Sequence, residues 1–592
     1  MVRQGGQADN LLMPLPALAR TVGLCYGRRN REVNELVRLF EKADIWRLAS
    51  LESSERGVTM SRVRCVWHTT LLLGLFTGLD VPVTNALSAQ MLSVSEATIE
   101  DINAAFDSGS LTSEGLVQLY LARIQAYDQE GPRLNAVLWL NDKALETARA
   151  LDAERRVSGP RSPLHGIPVA LKDNIDTGDM PTTAGSLLLA GSLPPDDAFI
   201  VQKLREAGAI ILAKLNMSEL ASGVTMSSVG GFIRNPHDTE RSPAGSSGGT
   251  GAAIAAAFAQ LGIGTDTGGS VRGPTTANGI AGLKPTHGLL SRDGIVPLAL
   301  SFDMAGPMAR HVYDVAAMLG VMTGIDPDDV ATSKSADRFE TNYTQFLDVS
   351  ALGNARIGVA RDFLGQDTEV DWILEASLEA MRAGGATVVD VYFPQWLLDA
   401  KGDWYTTIRW REFRAQIPEY LATIGPEYPK TLSEMVERSM EIASLTPEGG
   451  TPNPTRWSLL IQEEQSGALD DHEYIAMKNY GLPMAQSIVA GLMDAQELDA
   501  IVYPTSPTRP SLVNGGGGGG VSATNIANLT GFPDLIVPGG FTSDRLPVGI
   551  SFLGRPFSEP RLFGLGYAFE QATKVRRDPK LTPPLLGEEI RR

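Results

Sequence analysis

Cysteine is almost absent: the 592 residues hold two, Cys25 and Cys65, both near the N-terminus. The chain beyond Cys65 therefore has no disulfide staples, no thiol nucleophile and no cysteine-ligated zinc. Positive charge is also in deficit, with 51 Lys and Arg against 69 Asp and Glu and a formal net charge of −18. That balance disfavours non-specific nucleic-acid binding, which needs basic patches. No apolar run reaches the roughly 20 residues of a membrane-spanning helix. Residues 245–251 are rich in glycine but lack the G-K-[ST] ending of a phosphate loop, so nucleotide binding is not indicated. What remains, 43% hydrophobic and 20% charged with no internal repeat, is a soluble globular composition with length for one large domain or several.

Against these absences, residues 245–270 stand out: GSSGGTGAAIAAAFAQLGIGTDTGGS, two serine-bearing glycine clusters joined by small apolar residues. One glycine cluster alone reads as a turn. Two of them, with Lys172 upstream in the sequence VALKDN, read as the parts of a nucleophile site. A catalytic serine needs a base for its proton and backbone N–H groups aimed at the oxyanion it creates. The tetrad Thr267, Gly268, Gly269 and Ser270 offers four successive amides with little side-chain bulk. Lysine serves as that base only when neutral, and its ordinary pKa of about 10.4 requires burial or a nearby positive charge to bring it down. Lys172 ends the apolar run 167–171, which reads as a buried strand able to desolvate it.

A different assignment also fits the residues. The run Gly245-Ser246-Ser247-Gly248-Gly249 satisfies the G-x-S-x-G nucleophile elbow, which would make Ser247 the nucleophile of an esterase with a downstream acid and histidine. That elbow needs a hydrophobic strand immediately before it, and residues 234–243 are polar with two prolines. Of six histidines, His472 is the one placed to complete such a triad.

The set Lys172, Ser246 and Ser270 resembles the amidase signature family, whose members hydrolyse or transfer carboxamides with a Ser-cisSer-Lys triad. The resemblance extends through LHGIP (164–168), AKLNMSE (213–219), GLKPT (282–286) and AGPMAR (305–310) to LTGFP (529–533), LPVGI (546–550) and LGRPF (553–557), roughly residues 95 to 575. Ala244, where glycine is common, and the Gly273-Pro274-Thr275 sequence are small departures. It implies Ser270 as nucleophile, Ser246 as the bridge held by a cis peptide after Gly245, Lys172 as base, and an acyl-enzyme formed without cofactor or metal. It further implies an oxyanion hole from the amides of Thr267, Gly268, Gly269 and Ser270. Asp266 and Arg272 would hold the loop and the relay, unless they form an ordinary structural ion pair. Ser247 would support the triad or be a plain loop serine.

Within that family the chain looks most similar to secreted peptide amidases, through GPRLNAV (131–137), AGSL (184–187) and SRDGIVP (291–297), which implies C-terminal peptide amides as substrates. Fatty or aromatic amide hydrolysis, and the amidase component of a tRNA-dependent amidotransferase, are the other family activities left open. The pocket-building stretch 390–480 holds Trp396, Trp404, Trp410 and Trp457, which either line a cleft or, as is commoner for tryptophan, fill core. Oligomeric state has no signal in the sequence.

The N-terminus has its own pattern. From Met60, basic Arg62 and Arg64 precede an apolar core at 71–79 and small residues at Ala86 and Ser88, as in a secretory leader. The reading is a non-native or unprocessed extension at 1–59, a signal peptide at 60–88 and one amidase domain at 89–592. With that start the mature chain is secreted or periplasmic and free of cysteine; without it, the location is cytoplasmic. A buried helix of the domain is the competing reading of 60–88.

The rest of the pattern predicts an α/β fold, a mixed central sheet with helices on both faces. Strands are expected at 137–140, 167–171, 210–213, 356–360, 386–389 and 499–503. Leu116, Leu119, Tyr120 and Ile124 set one face of a helix over 113–127, and 252–260 reads as a thin, alanine-rich helix between the serine loops. The glycine run 515–520 reads as a flexible loop that the resemblance sets near the pocket wall.

Overall fold

A computed structural model describes residues 91–443, 452–513 and 524–591. The expected extension at 1–59, the leader at 60–88 and the glycine run at 515–520 lie outside the described residues.

The core is an eleven-stranded mixed sheet. Its strands in chain order are β1 Val137–Leu140, β2 Pro168–Lys172, β3 Ile210–Leu215, β4 Leu261–Asp266, β5 Ala281–Lys284 and β6 Met304–Ala309. The second half supplies β7 Arg356–Ala360, β8 Thr387–Val391, β9 Ala500–Pro504, β10 Asp534–Phe541 and β11 Pro547–Leu553. Across the sheet the order is β8-β7-β9-β11-β10-β5-β6-β4-β2-β3-β1. Parallel pairing is confined to β8-β7-β9 and to β4-β2-β3; the other pairs are antiparallel. Every expected strand is present; those at 137–140 and 356–360 match to the residue, and the other four have ends displaced by one or two residues.

Both faces of this sheet are covered, and alternation along β10 shows how. Side chains on a strand point to opposite faces in turn. Leu535 and Val537 abut Gly566 of the helix Glu559–Thr573. Ile536, between them, shares its side with Gly549, which abuts Thr276 of the helix Arg272–Ala277. A strand buried on both sides favours a near-continuous apolar sequence, as in β2 (PVALK) and β3 (IILAKL), where every residue is buried.

The thin helix is shorter and earlier than expected: α1 spans Gly248–Ala255. Ala257 turns left-handed at φ 53°, and its amide and that of Phe258 donate back to Ile254 and Ala253 carbonyls. That two-bond closure ends a helix, so residues 256–260 lead into β4 instead of extending α1. At its other end α1 lies against the β3 terminus, where Gly249 donates to the Asn216 carbonyl at 3.0 Å. A Cβ at Gly249 would fall 2.1 Å from that oxygen, so only glycine permits this approach. The helix at 113 follows its predicted face through Ser113–Ile124, then widens into a π-helical turn, Gln125–Gln129. Among the described residues no helix is long and apolar enough to cross a membrane.

Candidate active site

The three adjacent parallel strands bring their C-terminal ends to one place, the usual location for chemistry in an α/β sheet. Lys172 is the last residue of β2, Thr265 and Asp266 close β4, and Asn216 follows β3. Lys172 is fully buried. Its Nζ lies 2.7 Å from Ser246 Oγ and 2.7 Å from Thr265 Oγ1, and 3.4 Å from the Thr265 carbonyl. Burial pushes the lysine down to about 7, partly opposed by the carboxylates of Asp266 and Asp303. At neutral pH a large share of Lys172 is therefore the free amine, the form that can accept a proton.

Ser246 is also buried, and it follows a cis peptide from Gly245. Its carbonyl accepts the Ser218 amide at 2.9 Å. Ser247 links the two serine loops. Its Oγ accepts the Thr265 amide and donates to the Thr265 carbonyl, both at 3.2 Å, while its own amide donates to the Ser270 carbonyl at 3.2 Å. Ser270 is only half-buried and so remains open to a ligand.

The loop carrying Ser270 is tied to Asp266. Its Oδ1 accepts the Gly269 amide at 2.8 Å and its Oδ2 the Val271 amide at 3.0 Å. Arg272, fully buried, donates to both Asp266 oxygens at 3.2 Å, to Asp534 at 3.2 Å and to Asn528. Burial alone would raise Asp266, but the Arg272 guanidinium and Asn528 outweigh it and hold the carboxyl well below the usual range. Arg272 is raised, because its two carboxylates outweigh burial. Asp534, which also accepts Tyr503 Oη at 2.7 Å, is pushed up by burial. The pair read from sequence as a support is thus a four-residue cluster that fixes the path of 266–272. One expected oxyanion donor is already engaged: the Gly269 amide belongs to Asp266, whereas Gly268 lies half-buried at the surface of the loop.

Several contacting residues were not among those singled out by sequence. Thr265 touches Lys172 directly, and Asn174 Nδ2 donates to Thr265 Oγ1 at 3.1 Å. Asp303 accepts Thr267 Oγ1 at 2.5 Å and is itself held by the Leu298 and Ala299 amides at 2.8 Å. Thr265 and Asn174 sit within two positions of Asp266 and Lys172, so proximity in sequence was an available signal. Asp303 had none, being brought in by β6. Lys284, also buried and pushed down to about 7 by burial and Arg272, donates to the Phe532 and Pro285 carbonyls at 2.7 and 3.0 Å. It ties the end of β5 to the segment that leads into β10.

The esterase alternative finds no geometry. The segment before Ser246 has no strand, only a single bridge from Arg241 to Leu512. Ser247 is fully buried in its bonds to Thr265, and His472 is exposed on a short helix, His472–Ala476. The tryptophans divide: Trp457 is core and donates to Glu219 at 2.9 Å, Trp404 and Trp410 are half-buried, and Trp396 is exposed against Trp404. A cavity of about 420 Å³ opens beside the cis peptide, lined in part by Ala244, Gly245, Gly273, Thr225, Pro510 and Leu512.

Comparison with known proteins gives the family. The Amidase family model matches residues 115–563. A probable amidase of Arabidopsis thaliana is 33% identical over 529 residues, covering 86% of this chain and 97% of its own. A glutamyl-tRNA(Gln) amidotransferase component of Halorhodospira halophila is 35% identical over 491 residues, 81% of this chain and 97% of its own. Among solved structures, native peptide amidase from Stenotrophomonas maltophilia superposes with a TM-score of 0.77 at 38% identity, over 82% of this chain and 99% of that one. The chain therefore belongs to the amidase family, carries the amidase signature fold, and is an amide-hydrolysing enzyme.

Proposed function

We propose that Ser270 is the nucleophile, Ser246 the proton bridge and Lys172 the base of a relay that converts carboxamides to carboxylates. The observation that carries this reading is the buried Lys172 Nζ held 2.7 Å from Ser246 Oγ. In its neutral form the amine takes the proton of Ser246, which takes that of Ser270 as Oγ attacks the amide carbon. The tetrahedral oxyanion is met by the loop amides of Thr267, Gly268 and Ser270, with Gly269 serving the loop through Asp266. Collapse breaks the C–N bond, and the relay returns the proton to the departing nitrogen. Water activated by the same relay then cleaves the acyl-enzyme, so that amide and water become carboxylic acid and ammonia. No cofactor or metal enters these steps. Ser247, Asp266 and Arg272 act by positioning, through the contacts described above.

The substrates we favour are C-terminal peptide amides. Support comes from the peptide amidase likeness across 99% of that chain, and the cavity beside Gly245 has room for a ligand of more than one residue. A role as the amidase component of a tRNA-dependent amidotransferase is the second reading, favoured by the 35% identity to the Halorhodospira protein; hydrolysis of fatty or aromatic amides is a third. The net charge of −18 argues against direct nucleic-acid binding by this chain. Ammonia release from a peptide amide by the lone purified chain, abolished in Ser270→Ala, supports the first. Activity only with partner proteins and tRNA supports the second. We further propose that residues 60–88 are a secretory leader and that the mature chain is secreted or periplasmic. A mature N-terminus sequenced at Met1 refutes that proposal.

A further inference from the structure

The long helix Gln395–Thr423 brings Tyr405 onto the loop that carries Ser270. The approach is close: a Cβ placed on Gly268 would fall 2.5 Å from Tyr405 Oη and 2.6 Å from Cζ. The nearest tyrosine atom is the hydroxyl oxygen, so the polar end of the ring faces the loop. Glycine at 268 is what admits it.

Two features distinguish this from ordinary packing. First, the Tyr405 hydroxyl makes no hydrogen bond to any described residue, whereas the buried tyrosines Tyr120 and Tyr503 each donate, to Gln260 at 2.6 Å and to Asp534 at 2.7 Å. Tyr405 is only half-buried, so its unpartnered hydroxyl is open to a ligand beside the loop. Second, the ring is fixed from the same turn that fixes the loop. Phe302, fully buried, stacks on Tyr405 with centroids 5.4 Å apart, and the next residue, Asp303, holds Thr267 Oγ1. Phenol and loop are thus positioned relative to one another. Gly268 and Ser270 are also the half-exposed points of the loop, where a substrate has access.

We infer that the Tyr405 hydroxyl donates a hydrogen bond to the substrate carbonyl oxygen as it becomes the oxyanion, completing the donor set of the Thr267–Ser270 loop. This rests on the reading of Ser270 as nucleophile. It also fits the engagement of the Gly269 amide by Asp266, which removes one backbone donor from that set. Burial pushes the Tyr405 hydroxyl up to about 12, so it keeps its proton throughout the neutral range.

Tyr405→Phe keeps the ring and its stack on Phe302 while deleting the donor. The expected result is a fall in kcat of about 10- to 100-fold on a C-terminal peptide amide, with KM changed little. Affinity for a C-terminal peptide aldehyde, whose adduct with a serine carries an oxygen in the oxyanion position, should fall by the same factor. The thermal midpoint should not move. Unchanged kcat, or a rise in KM alone, overturns the inference and leaves Tyr405 as a pocket wall. Ser270→Ala, assayed alongside, separates the two levels. If it retains activity, the nucleophile assignment itself has failed; if it is inactive while Tyr405→Phe is fully active, only the tyrosine role has.

Discussion

Replacing Thr265 by valine removes one oxygen from the immediate surroundings of Lys172 and little volume. That oxygen accepts from Nζ at 2.7 Å, and the remaining acceptor on Thr265, its carbonyl, is farther away at 3.4 Å. A hydrogen bond from an ammonium is worth about 1.5–3 kcal/mol and a neutral one about 0.5–1.5, so the ammonium loses roughly 1–1.5 kcal/mol more than the amine. At 1.36 kcal/mol per pKa unit, Lys172 should drop by about one unit. The sign is fixed: loss of a bond that favours the charged form makes the lysine easier to deprotonate. Because the free amine is the working base, kcat/KM should rise with pH and level off above about 7 in the native protein. In Thr265→Val that limb should lie near pH 6, so that at pH 6 the variant retains about half its own plateau and the parent about a tenth of its own. Plateau activity should also fall, since Nζ loses an orienting contact. Initial rates of ammonia release across pH 5–9 provide the assay. A limb that stays in place or moves upward refutes the assignment of the base and of the contact that tunes it.

Three other substitutions probe separate parts of the account. Arg272→Met strands Asp266 and Asp534 in a buried site, and should cost about 3–5 kcal/mol in urea unfolding; a loss below about 1 kcal/mol contradicts the ionic cluster. Gly249→Ala forces a methyl onto the Asn216 carbonyl, so it should lower stability by about 1–3 kcal/mol or more, and a parental melting temperature means that α1 does not approach β3 this closely. His472→Ala should keep kcat/KM within about twofold, as expected for an exposed residue on a short helix. Loss of activity in that variant with Lys172→Ala still active would restore the esterase reading of Ser247.

Much of the architecture was legible in the sequence because its strands are short apolar runs bounded by turns. The runs at 137–140 and 356–360 gave their strands to the residue. Helix α1 was misplaced because a string of small apolar residues carries no amphipathic face, and its end is set by the left-handed turn at Ala257, which alanine does not advertise. Lys172 and Ser246, singled out by residue type and by the family resemblance, do meet, at 2.7 Å. The surrounding contacts were less legible: Asp303 reaches Thr267 from β6, and Tyr405 reaches Gly268 from a helix more than a hundred residues later in the sequence. Local periodicity does not encode such long-range meetings. The tryptophans show the same limit, since only Trp457 has the burial that composition favours for all four.

The central claim is that Ser270, served by Lys172 through Ser246, forms the acyl-enzyme. The most direct measurement is the site of covalent labelling by a fluorophosphonate, read by peptide mass spectrometry on the full chain. The account predicts one adduct, on Ser270, absent in Ser270→Ala and formed far more slowly in Lys172→Ala. An adduct on Ser247, or a labelling rate unaffected by loss of Lys172, would contradict it.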